Sequence, residues 1–369
     1  MISRPEVILF EDDPQRSEEL QEDFEYAMAE YDSDVEIREP NISEPSPDLE
    51  TLRQALQGDQ PALLVMLDWD LGERPDGITR GDVKEVCTEE DIPLVIYHRP
   101  EGSFTETEQF EEYDTDDIKF ESSKPIEEVG RDGAGIAVGF QEIQNRTSKV
   151  FDEYLDGNSS SSPAPMIYQI LNAPESVAGE LEQYNWGTPD AMFGAPDDDE
   201  DFDQTTRIQR WSTHLGYWIW NELLTFPGVL LNPTATAAYL DVNHKTFREN
   251  HEYLDALEDA RYDGPFWKLD YWFWLPELDS IRGDVMDDTD SQLPIGPEIF
   301  DRLGLPAIER SECHDDNEGG HPGARYYGAM IEAPVCKEHS KRPEGLIPPG
   351  ATRTRVSSTK YQKYMPWMR

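Results

Sequence analysis

The stretch Leu63-Leu64-Val65-Met66-Leu67-Asp68-Trp69-Asp70-Leu71-Gly72 decides how the N-terminal third of the chain folds. It is an apolar run of strand length that ends abruptly on a carboxylate, Asp68. Such a run is typical of a strand buried on both faces of a parallel sheet. In open α/β sheets, functional groups lie just beyond the carboxyl ends of the strands. We therefore expect Asp68 to be the centre of a site.

Three further apolar segments predict strands on either side of this one, at Glu6–Phe10, Pro93–His98 and Asp117–Phe120. Between and after these strands, apolar residues at helical spacing predict helices at about 14–28, 48–57, 79–88, 105–113 and 126–155. Asp13 is suited to capping the first of these helices, and Pro14 to its first turn. Strands that alternate with helices predict a doubly wound parallel α/β sheet.

The ends of these strands carry acids that the sheet would bring together. Glu11 and Asp12 follow the first strand, and Asp68 ends the strand described above. Three carboxylates at close range repel one another unless a cation joins them. Mg²⁺ prefers oxygen ligands of this kind. Lys124, after the last strand, would add a positive charge that pairs with Asp68 or with a phosphoryl oxygen on it.

Residues 1 to about 135 resemble the receiver domain of response regulators. The matching pieces are Val7 to Pro14, Leu67 to Leu71, and Lys124-Pro125. The resemblance implies a flavodoxin-like fold in which Asp68 accepts a phosphoryl group from a histidine kinase or another phosphodonor. It also implies that Glu11, Asp12, Asp68 and the carbonyl of Asp70 hold Mg²⁺, and that Lys124 is the family's conserved lysine.

The sequence departs from the receiver pattern at one place that matters for switching. The family has Thr or Ser at the end of the third motif strand, and that position falls on His98 here, with Tyr97 before it. An imidazole cannot copy the hydroxyl directly. The sequence is compatible with two hypotheses. The domain is either a receiver that is phosphorylated on Asp68, or a degenerate receiver that serves as a protein-interaction scaffold without phosphorylation.

Composition divides the chain into four predicted segments. The receiver-like domain with a long last helix covers 1–156, and a Ser-rich and acidic linker with a short helix covers 157–206. An aromatic-rich helix-turn-helix-like domain follows at 207–290. Residues 291–369 form a small, irregular C-terminal segment.

The third segment contains the pattern of a helix-turn-helix. Asn232 to Leu240 is a capped helix, 241–243 is a turn, and His244 to Asn250 begins a second helix. An aromatic strand at 266–274 would complete a fold similar to excisionase-like winged helix-turn-helix domains. DNA contact would fall to Lys245, Thr246 and Arg248, although nearby acids such as Glu249 oppose it. The alternative is a protein-interaction surface.

The C-terminal segment combines a Cys/His cluster with a basic tail. Cys313, His321, Cys336 and His339 have residue types that bind zinc. Cys336-x-x-His339 has the spacing of a half-site, which Cys313 with either His314 or His321 would complete. The alternative is two buried thiols with surface histidines. From 340 to 369 seven basic residues accompany one acid. This tail would bind nucleic acid, or it would lie on the acidic body of its own chain or on an acidic partner.

The net charge of -47 constrains the whole protein. The acids are dispersed, and only 10 of the 31 basic residues are Lys. This composition resembles that of cytoplasmic proteins from extreme halophiles, whose self-repulsion salt screens. Three cysteines suggest a reducing cytosol. We expect no membrane partner, since no long apolar run is present. We expect no enzymatic activity, because we find neither a nucleophile–base pair nor a nucleotide-binding glycine loop.

Overall fold

A computed structural model describes residues 4–42, 47–58, 61–69, 71, 77–98, 118–121, 126–156, 164–181, 204–286, 295–315, 324–343 and 346–364. The chain divides into two compact units. Unit 1 comprises Met1–Ile170, Gly187–Asn221 and Pro265–Leu269. Unit 2 comprises Leu171–Trp186, Glu222–Gly264 and Asp270–Arg369. No helix in the described ranges is long and apolar enough to cross a membrane.

Unit 1 contains the predicted parallel sheet. Its strands are β1 (Glu6–Phe10), β2 (Glu36–Arg38), β3 (Leu64–Asp68), β4 (Leu94–His98) and β5 (Ile118–Glu121). They lie in the order β2-β1-β3-β4-β5, and every neighbouring pair is parallel. This is the flavodoxin-like doubly wound order. Only β2 was not predicted, because its three residues include a single buried apolar side chain, Ile37.

Helices cover both faces of this sheet. Before residue 200, the described helices of unit 1 are α1 (Pro14–Glu30), α2 (Leu49–Gln57), α3 (Arg80–Glu89), α4 (Ile126–Asp156) and the larger part of α5 (Ala164–Leu171). Alternate strand residues, such as Phe10 and Leu67, form a buried cluster with α2 and α3. Met66 points to the opposite face, where Gly133 of α4 lies against its side chain. β1, β3 and β4 are therefore buried on both sides, as their continuous apolar sequences predict.

The start of α1 confirms the predicted cap. The Asp13 side chain accepts hydrogen bonds from the backbone N–H groups of Gln15 and Arg16, and Pro14 occupies the first turn. An N-cap satisfies amide donors that have no partner within the helix. This tight start holds Glu11 and Asp12 in the short link between β1 and α1.

An aromatic helix belongs to unit 1, although the sequence placed it in the third segment. Helix α7 (Gln204–Trp218) continues as a π-helix at Ile219–Leu224. Phe140 of α4 packs edge-to-face on Tyr217 of α7, with ring centroids 6.2 Å apart. The Tyr217 hydroxyl accepts a hydrogen bond of 2.8 Å from the backbone N–H of Leu94, the first residue of β4. The aromatic face of α7 therefore packs in the core of unit 1. This packing joins residues that are distant along the chain, so the spacing of residues in the sequence does not specify it.

Unit 2 contains the predicted pair of helices but not the predicted wing. Its helices before residue 303 are α6 (Ala178–Leu181), α8 (Pro233–Leu240), α9 (His244–Glu249), α10 (His251–Asp255), α11 (Leu275–Met286) and α12 (Ile295–Arg302). The expected strand at 266–274 is limited to β7 (Phe273–Trp274), antiparallel to β6 (Leu230–Leu231). Phe266 has a φ of 70°, in the left-handed region, which interrupts extended backbone.

The end of the chain forms a small sheet, so the expectation of an irregular segment was wrong. Its strands are β8 (Tyr326–Ala329), β9 (Ala333–Val335), β10 (Ser340–Lys341) and β11 (Thr354–Ser357), in the order β10-β11-β8-β9, followed by α13 (Ser358–Tyr364). Strands of two to four residues are too short to show a period of two.

Part of the basic tail lies on its own unit. The guanidinium of Arg355 donates hydrogen bonds to the hydroxyl and the carbonyl of Ser340. That of Arg353 lies 4.5 Å from the centre of the Tyr239 ring. Of the uses predicted for the tail, these contacts favour packing on its own chain.

We predict that Gly130→Ala lowers the free energy of unfolding by about 1–3 kcal/mol, because α1 and α4 approach closely there. A Cβ at this position would lie 2.7 Å from Cβ of Asp23 and 2.8 Å from the Leu20 carbonyl oxygen. This cost outweighs the higher helix propensity of Ala, about 1 kcal/mol. The matched control is Gly81→Ala in α3, where the new Cβ meets only Thr79 Oγ1 at 3.6 Å. Denaturant unfolding in molar salt measures both, and equal effects would contradict the prediction.

Candidate functional site

The candidate site lies at the carboxyl ends of β1 and β3. These strands are neighbours in parallel register, with Phe10 opposite Leu67, so the residues that follow them meet at one edge. Carboxylate oxygens of Glu11, Asp12 and Asp68 all lie within 4.8 Å of one another. Glu11 is 4% exposed and Asp68 is 0% exposed. The structure therefore brings together the three acids that the sequence singled out.

Glu11 is held by the backbone that follows it. Its Oε1 accepts hydrogen bonds from the backbone N–H groups of Asp12 and Asp13, both at 3.1 Å. Its Oε2 accepts a hydrogen bond of 3.0 Å from the Tyr97 hydroxyl and lies 3.9 Å from Nε of Arg16. The carboxylate is thus oriented by donors on two sides before any ligand binds.

Burial and a like charge shift the titration of Glu11. Desolvation first, and then the neighbouring charge of Asp68, raise the pKa of Glu11 from 4.5 to about 7. The amide of Asp13, the charge of Arg16 and the hydroxyl of Tyr97 act in the opposite direction but are outweighed. Two buried carboxylates at this distance favour either a shared proton or a bound cation.

Tyr97 is a site residue that the sequence reasoning did not assign. It pairs in register with Asp68 across β3 and β4, and its ring is fully buried. Burial, and after it the charges of Glu11 and Asp68, raise the pKa of Tyr97 well above its usual value, so its hydroxyl stays protonated and donates. The signal was available: residues opposite each other in parallel strands share a face, and that face carries Asp68.

The chain just after Asp68 is fixed by two contacts. The Trp69 backbone N–H donates to the Tyr97 carbonyl at 2.8 Å, which continues the β3–β4 ladder by one residue. The Arg80 guanidinium lies 4.2 Å from the centre of the Trp69 ring and donates to the Trp69 carbonyl at 3.1 Å. These contacts place α3 against the end of the Asp68 strand.

The donor set fits a magnesium ion in its chemistry and its spacing. Mg²⁺ binds oxygen at about 2.0–2.1 Å in an octahedron, so its ligand oxygens are about 3–4 Å apart. The three acids meet this spacing to within about 1 Å, since their oxygens all lie within 4.8 Å of one another. Glu11, Asp12 and Asp68 would therefore hold the ion. Asp70 and Lys124, predicted to complete the site, lie outside the described residues, as does the side chain of His98, the last residue of β4.

A second cluster of metal-ligating residues lies in unit 2. Ligand atoms of Cys313, Cys336 and His339 are within 4.8 Å of one another, and both cysteines are buried. Burial, the largest cause, raises the pKa of the Cys336 thiol to about 11. His321, the fourth ligand predicted from the sequence, lies outside the described residues. Three of the four predicted zinc ligands therefore meet.

The residues predicted to contact DNA lie on α9. Lys245 and Thr246 are exposed, and the Asn243 side chain caps the helix by accepting from their backbone N–H groups at 3.1 Å. Arg248 is also exposed, but its guanidinium reaches back to the Thr234 hydroxyl of α8 at 3.4 Å. The helix has six residues, so it presents a short surface.

Comparisons with known proteins leave the family of this chain open. No protein-family model and no curated protein matches it. A match to the structure of the E. coli constitutive lysine decarboxylase covers 53% of this chain and 30% of that one, with 14% sequence identity and a TM-score of 0.24. At this TM-score the match carries no argument about fold or activity, and the chain spans less than a third of that protein.

We predict that Glu11→Gln stabilises the protein at pH 8 but not at pH 4. The unfolded chain loses the Glu11 proton near pH 4.5, and the folded chain near pH 7. Between these values the folded state binds more protons, so this group lowers stability as the pH rises, by about 3 kcal/mol in total. Gln keeps the size and one acceptor oxygen for the amides of Asp12 and Asp13, offers Tyr97 a donor in place of an acceptor, and cannot ionise.

Denaturant unfolding with a chelator present, from pH 4 to pH 8 in molar salt, measures this difference. Glu18→Gln, at an exposed position on α1, is the control. A difference between wild type and Glu11→Gln that does not change with pH would refute the assignment.

Proposed function

We propose that unit 1 is a receiver-like signalling module in which Asp68 accepts a phosphoryl group in the presence of Mg²⁺. The observation that carries this proposal is the meeting of Glu11, Asp12 and Asp68 at the carboxyl end of two adjacent parallel strands. The flavodoxin-like strand order supports it further. The phosphodonor would be a histidine kinase or a small acyl phosphate.

In this proposal each residue of the site has a separate task. A carboxylate oxygen of Asp68 attacks phosphorus, the bond between phosphorus and the donor's leaving group breaks, and the leaving group departs with the electron pair. A cation held by these carboxylates would supply positive charge that favours transfer of the anionic phosphoryl group. Glu11, oriented by two amides and Tyr97, would hold that cation. Lys124 would pair with the phosphoryl group, as the receiver resemblance implies.

Burial of the site supports a second candidate function. Asp68 has no exposed surface, and Tyr97 already donates to the Glu11 carboxylate. A phosphodonor reaches a buried oxygen only after local opening. A receiver fold that has lost phosphorylation and serves as a docking module in a protein assembly needs no such opening. This degenerate receiver is the alternative proposal.

We predict that acetyl phosphate labels the wild-type protein in molar salt with Mg²⁺, and that Asp68→Asn abolishes the label. Mass spectrometry at acidic pH would detect one phosphoryl group per chain. Asp82→Asn, an acid at the first turn of α3, is the matched control and is expected to label normally. Omission of Mg²⁺ is expected to reduce the rate at least tenfold, because the carboxylates then repel the donor.

Tyr97→Phe separates the two candidate functions. It removes one hydroxyl and keeps the buried ring. If the bond from Tyr97 to Glu11 restrains the site, the variant labels faster than wild type. Absence of labelling in wild type and in Tyr97→Phe alike would exclude the phosphorylated receiver and favour the docking module.

For unit 2 we propose contact with DNA or with a protein partner through α9. Exposed Lys245 and Thr246 favour DNA, whereas Glu249 on the same helix and Glu252 on α10 weaken attraction to phosphates. If DNA is the partner, Lys245→Ala lowers the affinity and reduces the slope of log K against log salt by about one. If a protein co-purifies with the chain at every salt concentration and no DNA is present, the partner is a protein instead.

A further inference from the structure

The Cys/His cluster of unit 2 joins two separate parts of the chain. Cys313 precedes the C-terminal sheet, whereas Cys336 and His339 lie between β9 and β10. Both thiols are buried, and with Ala324 they form a small cluster. The His314 backbone N–H donates to the Pro334 carbonyl at 3.0 Å, so the segment around Cys313 runs beside β9.

Distances within the cluster match the edges of a zinc tetrahedron. Nδ1 of His339 lies 3.2 Å from Sγ of Cys336 and 3.6 Å from Sγ of Cys313. Zinc bonds of about 2.3 Å to sulfur and about 2.0–2.1 Å to nitrogen, at tetrahedral angles, place S and N about 3.6 Å apart. One ring nitrogen thus faces both sulfur atoms, as it would when the three share an ion.

The backbone around the cluster is arranged for a thiolate. The Cys336 backbone N–H donates to Sγ of Cys313 at 3.3 Å. Donors aimed at a ligand sulfur from the surrounding shell orient it and stabilise its negative charge. A sulfur that accepts this bond and also faces a ring nitrogen has the environment of a metal ligand.

We propose that Cys313, Cys336 and His339 bind a structural Zn²⁺ ion that fixes the segment 309–315 against the turn of the helix-turn-helix. This segment contacts that turn directly. The Asn243 backbone N–H donates to the Glu309 carbonyl at 2.7 Å, and the Ser311 hydroxyl donates to Oδ1 of Asp241 at 3.1 Å. The ion therefore acts on the position of α9, and the proposal is independent of the chemistry proposed for unit 1.

Arg310 strengthens the link between the segment 309–315 and the turn of the helix-turn-helix. Its Nε donates to Oδ2 of Asp241 at 2.8 Å, and a second guanidinium nitrogen contacts the same oxygen. Asp241 is buried and has a φ of 60°, a left-handed conformation that ends α8. The positive charge of Arg310 pairs with this buried carboxylate. Release of the segment 309–315 would therefore leave Asp241 as an unpaired acid at the turn.

The described residues offer two candidates for the fourth ligand. Asp315, two residues after Cys313, has a buried Oδ2 with no hydrogen-bond partner within the described part of the chain. The Glu338 side chain interacts with the Cys336 thiol.

The first experiment measures zinc by mass spectrometry of the full-length protein, purified in molar salt and dialysed against a mild chelator. We expect one zinc per chain, and at least a tenfold loss of bound zinc in Cys313→Ala and Cys336→Ala. Cys87→Ala is the matched control, since Cys87 is an equally buried thiol in unit 1. Zinc-free wild type that takes up no added zinc would overturn the proposal, as would a Cys313–Cys336 disulfide.

A second measurement keeps the test valid if the Cys→Ala variants do not fold. Co²⁺ substituted into wild type is expected to give thiolate-to-cobalt absorption and tetrahedral ligand-field bands. His339→Cys is expected to retain the metal and to increase the thiolate absorption about 1.5-fold, because three thiolates replace two. Unchanged absorption in this variant would exclude His339 as a ligand.

The same preparation tests the fourth ligand and the link to the turn. Asp315→Asn and Glu338→Gln are compared for the cobalt bands, and the residue that binds the metal is the one whose loss alters them. Removal of zinc is expected to speed hydrogen exchange of a peptide covering 241–249 at least tenfold, while a peptide covering β1 and α1 is unaffected. Equal exchange of the 241–249 peptide with and without zinc would refute the link.

Discussion

Parallel register at the carboxyl ends of β1, β3 and β4 is the constraint on which the candidate site depends. Because Phe10 lies opposite Leu67 and Asp68 lies opposite Tyr97, the residues that end these strands reach the same edge of the sheet. A one-residue slip would turn each of these side chains to the other face. The site is therefore a consequence of strand pairing, whose register the burial of the apolar faces specifies.

This arrangement has an energetic cost that the site partly offsets. Burying Glu11 beside Asp68 disfavours the ionised state of Glu11, as its raised pKa indicates. Two backbone amides, the Tyr97 hydroxyl and the nearby Arg16 reduce the cost without removing it. A protein that keeps ionisable groups under such strain usually does so for a function, and a bound cation is the simplest way to relieve it. The same physical reasoning leads to the proposed receiver chemistry.

Scarce positive charge is used in a similar way elsewhere in the molecule. Arg53 on α2 forms ion pairs with Glu50, Glu89 and Glu90, and so links α2 to the end of α3. In unit 2, Arg310 satisfies the buried Asp241 at the turn between α8 and α9. The chain has 78 acidic and only 31 basic residues, so screening by salt is the general means of reducing the repulsion among the acids. Both of these arginines lie where two elements meet.

The sequence by itself determined the parallel α/β sheet, the cap at Asp13 and the meeting of Glu11 with Asp68. An apolar strand predicts burial within the sheet, and an acid at its end lies at the carboxyl edge, where the ends of parallel strands meet. It also identified Cys313, Cys336 and His339 as a set from their residue types. Only the tertiary structure brought Tyr97 to Glu11, packed α7 in unit 1, built the C-terminal sheet and connected Arg310 to Asp241. These features depend on side chains that are distant along the chain, and local periodicity carries no information about which distant surfaces meet.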